Sequence, residues 1–168
     1  MWFRLVWVFF RFNRWHASAP YACREYKQQA VRLASSVRPD VVVDIGCGLG
    51  EILARIPAKH RYGFDVEENV VRAARLFHGR RASFHTASFS DIKGIGNLVK
   101  EDNIDLLIMT NWPHAMTIED LRFGLKELAH RFSLRMLLID SLHPARMSAR
   151  GQHHGVEKVR QLGDIMKR

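Results

Sequence analysis

The chain has 168 residues, of which 47% are hydrophobic and 26% charged, and a formal net charge of +9 at pH 7. That length supports one domain with a real core, and the two cysteines, Cys23 and Cys47, stand in contexts that give no reason to pair them, which fits a reducing interior better than a disulfide scaffold. The charge is confined to the ends: residues 1–38 carry seven Arg/Lys against Glu25 and residues 143–168 carry six against Glu157 and Asp164, so the ends hold +6 and +4 and the stretch between them −1. A basic excess placed in this way suits docking to an acidic surface, and it argues against a groove lined for nucleic-acid phosphates.

The first fifteen residues, Met1 to Trp15, are Trp- and Phe-rich and are interrupted by Arg4, Arg11 and Arg14. They are too short and too charged to span a bilayer. The apolar run is also too short for a signal peptide, although Ala17-Ser18-Ala19 mimics a cleavage site. Wound at about 100° per residue, the three arginines fall within roughly 80° of one another, in outline a basic aromatic interfacial helix that touches a membrane surface. The competing reading is a helix packed over the domain or at a homodimer interface. The expected division is an N-terminal segment over residues 1–19 and an α/β domain over residues 20–168, in a cytoplasmic protein that is soluble or peripheral at a membrane. A leading helix that contains Cys23 precedes the first strand.

The run Val41-Val42-Val43-Asp44-Ile45 predicts a buried parallel strand. It passes directly into Gly46-Cys47-Gly48-Leu49-Gly50, where glycines permit positive φ and let a ligand approach the backbone. A dinucleotide site wants G-x-G-x-x-G with pyrophosphate on the helix N-terminus. Counting from Gly46 and Gly48, the third glycine position holds Glu51, whose carboxylate repels a pyrophosphate there. Between two ligand-loop glycines, Cys47 reads as a small packing residue and not a nucleophile. A short helix is predicted from about Glu51 to Ala58.

The pattern Asp44-x-Gly46-x-Gly48-x-Gly50 resembles motif I of the class I S-adenosylmethionine-dependent methyltransferases. The resemblance implies that these four residues lie along the methionine part of the cofactor, whose ammonium suits an acid at the strand end. A second strand, Arg61-Tyr62-Gly63-Phe64-Asp65, ends in an acid about 20 residues after the first, as an adenosine-binding βαβ unit needs. Asp65 is the candidate for the ribose hydroxyls, because an ionised carboxylate accepts from both; its alternative is a helix N-cap. The helix from Glu67 to Phe77, with Val70, Val71, Ala74 and Phe77 on one face, completes the unit.

The third strand lies within Ala82–Phe89, and here the chain departs from the family pattern. Many relatives end it in an Asp that accepts from the adenine amino group, and alignment puts Ser88 in that place. A hydroxyl accepts the bond without charge assistance. Phe89 is placed against the adenine face or in plain core, and Asp91 sits as a helix N-cap.

Ile104 to Thr110 reads as the fourth strand, with Asn111-Trp112-Pro113-His114 at its end. In open α/β sheets ligands sit outside the carboxyl ends of strands near the switch in strand order. The family order 3-2-1-4-5 puts that switch between the first and fourth strands and turns this loop toward the methyl group. It loosely resembles the Asn-Pro-Pro-aromatic motif of amino-methyltransferases, with Asn111 and Pro113 matching and a histidine in the aromatic place. His114 is the candidate base, Asn111 the residue that orients the acceptor, and Trp112 an apolar or sugar-stacking wall. A loop packed for shape is the competing reading. His143, after the fifth strand, lies on the same expected sheet edge, and His153-His154 reads as solvated tail because no spaced ligand set surrounds it.

Thr117-Ile118-Glu119-Asp120 opens a helix to about Phe132 through a capping-box variant, and a fifth strand covers Arg135–Asp140. The alternation implies a doubly wound α/β fold with a mainly parallel sheet and helices on both faces. After Leu142 only a polar loop and a helix from about Val156 to Lys167 are expected, so the family's terminal hairpin of sixth and seventh strands is missing from the pattern. Methyltransferases often keep a lid over the site where residues 15–21 lie here. The resemblance implies transfer of a methyl group from S-adenosyl-L-methionine to an O or N atom of a small-molecule or glycan-type acceptor, with no metal. The other readings are a methyltransferase-fold binding protein without turnover and a nucleic-acid methyltransferase.

Overall fold

In the computed structural model, the residues described are 9–13, 16, 20–113 and 116–140. Five parallel strands form the main sheet: β1 (Val41–Ile45), β2 (His60–Asp65), β3 (Ser83–Thr86), β4 (Leu106–Thr110) and β5 (Leu137–Asp140). Their order across the sheet is β3-β2-β1-β4-β5, the doubly wound arrangement expected. Among the described residues, α1 (Glu25–Ser36), α2 (Glu68–His78), α3 (Ile92–Leu98) and α4 (Ile118–Arg131) cover it.

The pleat explains why the central strands are apolar throughout. Val42 and Ile108 face one side with Ala30 and Ala34 of α1 and Val71 and Ala74 of α2. Val43, Ile45, Leu107 and Met109 face the other, with Ile95 of α3 and Leu121, Leu125 and Leu128 of α4. Successive side chains on opposite faces thus feed two cores, and both need β-branched or aliphatic residues. Caps fix two of the helix starts: Asp91 accepts from the Gly94 N–H at 2.9 Å, and Thr117 accepts from the Asp120 N–H at 3.1 Å while its hydroxyl donates to the Asp120 carboxylate.

Some element bounds differ from the sequence reading for identifiable reasons. The helix expected over residues 51–58 is one 3-10 turn, Leu53–Arg55. Pro57 accounts for this, since the residue before proline is pushed out of the helical region and Ile56 is extended at ψ 126°. Cys23 lies in a 3-10 turn, Tyr21–Cys23, ahead of α1. The third strand stops at Thr86, leaving Ser88 and Phe89 in the loop that follows. The fourth strand is interrupted at Asp105, whose carboxylate accepts from the backbone N–H groups of Asp40 and Val41 at 2.9 and 3.0 Å. Before the interruption Asn103–Ile104 pairs with Ser133–Leu134. Ile104 opposes Leu134 and Leu107 opposes Leu137, the same offset of 30 residues, so one parallel pairing continues across the break.

Among the described residues no helix is long and apolar enough to cross a membrane. The basic segment 1–8, His114, His143, the His153-His154 pair and the helix expected near the C-terminus lie outside the described residues, as does the stretch where a final hairpin would fall.

Candidate cofactor and active site

The glycine turn forms where β1 runs out. The Gly46 and Cys47 N–H groups both donate to the Phe64 carbonyl, at 2.7 and 2.9 Å, which folds the chain back over the end of β2. Gly46, Gly48 and Gly50 have φ of +74°, +55° and +73°, the left-handed region that side chains with a Cβ rarely adopt. Space is also lacking: a Cβ on Gly46 would lie 2.2 Å from the Trp112 ring and one on Gly50 2.5 Å from Phe84. Above this turn lies a cavity of about 450 Å³ at the carboxyl ends of β1, β2 and β4, within the size range of small-molecule sites.

Two acids stand at its floor. Asp44 is 1% exposed, and its Oδ1 is buried without a hydrogen-bond partner. Burial, then the nearby Asp65 charge, pushes its carboxyl up to about 8, with Lys27 pulling the other way. Asp65 accepts from the Gly48 N–H through Oδ2 at 2.9 Å and from the Glu67 N–H through Oδ1 at 3.1 Å. One carboxylate therefore serves both the glycine turn and the entry to α2, and each oxygen keeps a further lone pair.

Glu51 has a different role from the one its sequence position suggests. It is buried and forms an ion pair with Lys27 of α1. Its charge is matched, and the short 3-10 turn offers no long helix N-terminus at that point, so Glu51 does not act as the pyrophosphate-repelling group expected.

Ser88, Phe89, Asn111 and Trp112 all line the cavity. The Ser88 hydroxyl lies 2.9 Å from the Ser90 hydroxyl. Phe89 is both wall and core: it is 5% exposed, packs with its ring centroid 5.4 Å from that of Trp112, and sits against Gly124 of α4. Asn111 has φ +65°, a conformation asparagine tolerates better than most residues. Trp112 donates from Nε1 to the Ile45 carbonyl at 2.6 Å. Cys47 is buried and its thiol is pushed well up by burial and by Asp44 and Asp65, so it packs and does not attack. Among the described residues no group of three His, Cys, Asp or Glu is placed to hold a metal.

No protein-family model matches the sequence, and no curated protein matches it. Solved structures do. The chain is similar to the N-methyltransferase NodS from Bradyrhizobium japonicum WM9, with TM-score 0.58 and 15% identity over 80% of this chain and 80% of that one. It is similar to the methyltransferase domain of bacterial CtHen1-C, with TM-score 0.57 and 16% identity over 81% and 82%. It is also similar to SAM-bound CalS10, an amino pentose methyltransferase from Micromonospora echinaspora, with TM-score 0.62 and 15% identity over 82% of this chain and 60% of that one. This chain has the class I methyltransferase fold.

Within that methyltransferase fold, part of the cavity wall comes from residues the sequence did not single out as site residues: His16, Arg24, Tyr26, Lys27 and Thr110. Arg24 is 8% exposed and its guanidinium donates to the Tyr26 hydroxyl at 3.3 Å. The signal that points to Arg24, Tyr26 and Lys27 is topological. A helix joined to β1 by a short link runs antiparallel to it, so the N-terminal end of α1 returns to the strand's carboxyl edge. Thr110 ends β4 beside Asn111, and its position at the sheet's carboxyl edge was legible in principle.

Proposed function

We propose that this protein is an S-adenosyl-L-methionine-dependent methyltransferase acting on an O or N atom of a small-molecule or glycan-type acceptor. The observation that carries the reading is the buried Asp44 carboxyl, whose Oδ1 has no hydrogen-bond partner, at the floor of a glycine-cradled cavity. A buried carboxyl without a partner is costly unless something pairs with it, and an ammonium group is what fits beside two acids. Asp65, with acceptor capacity left on both oxygens, fits a pair of ribose hydroxyls. Ser88 and Phe89 fit the adenine edge and face, while Gly46, Gly48 and Gly50 let the backbone approach the ligand.

When bound, the cofactor supplies a methyl group on a sulfonium for in-line displacement by a nucleophile. The chain's own residues orient the acceptor and dispose of its proton. Asn111, in the cavity wall at the end of β4, orients the acceptor, Phe89 and Trp112 wall out water, and His114, three residues past Asn111, is the base that takes the acceptor's proton. Support for a small acceptor comes from the neighbours' own descriptions, an N-methyltransferase and an amino pentose methyltransferase, and from the modest size of the cavity.

The test is calorimetry with S-adenosylhomocysteine on the full chain. Binding is expected in the wild type and lost in Asp65→Ala and Asp44→Ala, and folded wild-type protein that gives no heat at high ligand concentration overturns the reading. Methyl transfer across an acceptor panel then separates an enzyme from a binding protein. His114→Ala is expected to abolish transfer and keep binding; a wild type that binds and never transfers leaves the non-catalytic alternative.

A further inference from the structure

The near-neutral middle of the chain contains a local segregation of charge. Between Glu68 and Asp91 the sequence has four arginines, Arg72, Arg75, Arg80 and Arg81, and no acid. All four are exposed on α2 and the turn that leaves it, and among the described residues no carboxylate forms an ion pair with any of them. Arg75 donates from Nε to the Phe84 carbonyl at 2.8 Å, which ties its stem to β3. The local field reaches His78, whose imidazole is held below its usual value by burial first and then by Arg55, with Arg81 adding to the effect and Glu51 opposing it. By contrast, the exposed side of α4 mixes Glu119, Asp120 and Glu127 with Arg122 and Lys126.

Two large apolar side chains accompany these charges. Leu76 is 68% exposed, one helical turn on from Arg72 on the outer side of α2. Phe9 is 79% exposed, and its ring meets Phe10 edge-on with centroids 5.2 Å apart. Phe10 packs with Phe77 on the cluster of Phe12, Val70 and Ala73, which sets Phe9 on the α2 side of the molecule. In the sequence Trp2, Phe3, Arg4 and Trp7 precede it. We propose that the outer side of α2, with Arg80 and Arg81 after it and Phe9 beside it, is a docking surface for an anionic bilayer. The arginines meet the lipid headgroups, and Phe9 and Leu76 enter the acyl boundary. A nucleic-acid backbone would use the guanidinium groups and leave both exposed hydrophobes without a role, whereas a lipid surface uses all of them. Arginine suits that boundary because its stem stays among apolar groups while its head remains at headgroup level. None of these residues lines the cavity, so the docking surface stands independently of the cofactor reading.

The experiment is flotation of the full chain with vesicles of phosphatidylcholine alone or of an equal mixture of phosphatidylcholine and phosphatidylserine. Binding is expected to the mixed vesicles only, and to weaken as salt is raised. Neutralising three charges together, Arg72→Gln with Arg80→Gln and Arg81→Gln, is expected to lower the partition coefficient roughly a hundredfold, about fivefold for each charge, with the melting temperature unchanged. Leu76→Ser is expected to lower it several-fold while retention on heparin stays the same. Arg72→Gln alone, with its fivefold step, decides where the triple variant does not fold. A triple variant that floats as well as the wild type overturns the proposal, as does a wild type that fails to float at low salt or that binds phosphatidylcholine alone equally well. A Leu76→Ser chain that holds mixed vesicles as tightly as the wild type and is retained on duplex RNA also overturns it, and leaves a surface for soluble polyanions in its place.

Discussion

The Trp112 indole donates to the Ile45 carbonyl at 2.6 Å, at the point where β1 has run out of partners on β4. The rungs between those strands go from Val42 opposite Leu106 to Asp44 opposite Ile108 and end there. The splay that opens the cavity would leave the Ile45 carbonyl without a ladder partner, and a side chain from the loop after β4 satisfies it. That same ring fills the space over Gly46. Trp112→Phe is expected to keep the ring and strand the carbonyl, lowering stability by roughly 1–3 kcal/mol in urea unfolding. Gly46→Ala combines a disfavoured φ with a Cβ 2.2 Å from the ring, and calorimetry is expected to show loss of S-adenosylhomocysteine binding.

Asp44 makes the unliganded protein sensitive to pH in a defined direction. Its carboxyl is raised from 3.8 to about 8, by burial first and by Asp65 second. The native state therefore holds that proton more tightly than the unfolded chain does. The stability it contributes is complete below about pH 4 and is lost progressively as pH rises toward about 8. Asp44→Asn is expected to flatten this fall in a series of unfolding midpoints, and an identical slope in the variant would contradict it. Ligand binding runs the other way, because the carboxyl must ionise to receive an ammonium. S-adenosylhomocysteine affinity should rise over the same interval, with proton release seen as a buffer-dependent binding enthalpy.

The Lys27–Glu51 pair joins α1 to the segment after the glycine turn, and burial lowers the Lys27 pKa while Glu51 opposes that shift. Lys27→Met leaves the Glu51 carboxylate buried and unpaired, and a loss of about 3–5 kcal/mol is expected from denaturant unfolding. Replacing both residues, Lys27→Met with Glu51→Leu, is expected to restore most of that loss. A double variant no better than the single one would show that the pair does more than balance charge.

Gly124 sits in the interior of α4, where alanine would ordinarily be the better helix former by about 1 kcal/mol. Here a Cβ would lie 2.4 Å from the Phe89 ring. Gly124→Ala is therefore expected to destabilise by roughly 1–3 kcal/mol through overpacking, against its propensity. Because Phe89 also walls the cavity, ligand affinity should fall with it, and Phe89→Leu in the same chain should relieve the clash in thermal melts.

These cases show where the sequence was legible and where it was not. The strand, the glycine turn, Asp44 and Asp65 were readable because their signals are local: an apolar run, a spacing, an acid at a strand end. Glu51 was misread for a related reason, since its position along the chain was plain but its partner Lys27 lies 24 residues away. His16, Arg24 and Tyr26 reach the cavity only because the N-terminal chain and α1 pack back over the carboxyl edge of the sheet, and nothing in their immediate neighbours records that return. The break at Asp105 also had a tertiary cause, a carboxylate bonded to backbone 65 and 64 residues earlier.

The charge of the cavity floor has a consequence for competition among adenosine compounds. Asp44 and Asp65 line the floor, Glu51 keeps Lys27 occupied, the Arg24 guanidinium in the wall is engaged by the Tyr26 hydroxyl, and the turn that follows the glycines is too short to present a helix N-terminus. An adenosine bearing a chain of phosphates meets repulsion in the same volume where one bearing an ammonium meets a partner. The floor thus sorts such ligands by sign before any shape is compared, and an abundant nucleotide triphosphate is expected to be a poor competitor however well its adenosine fits.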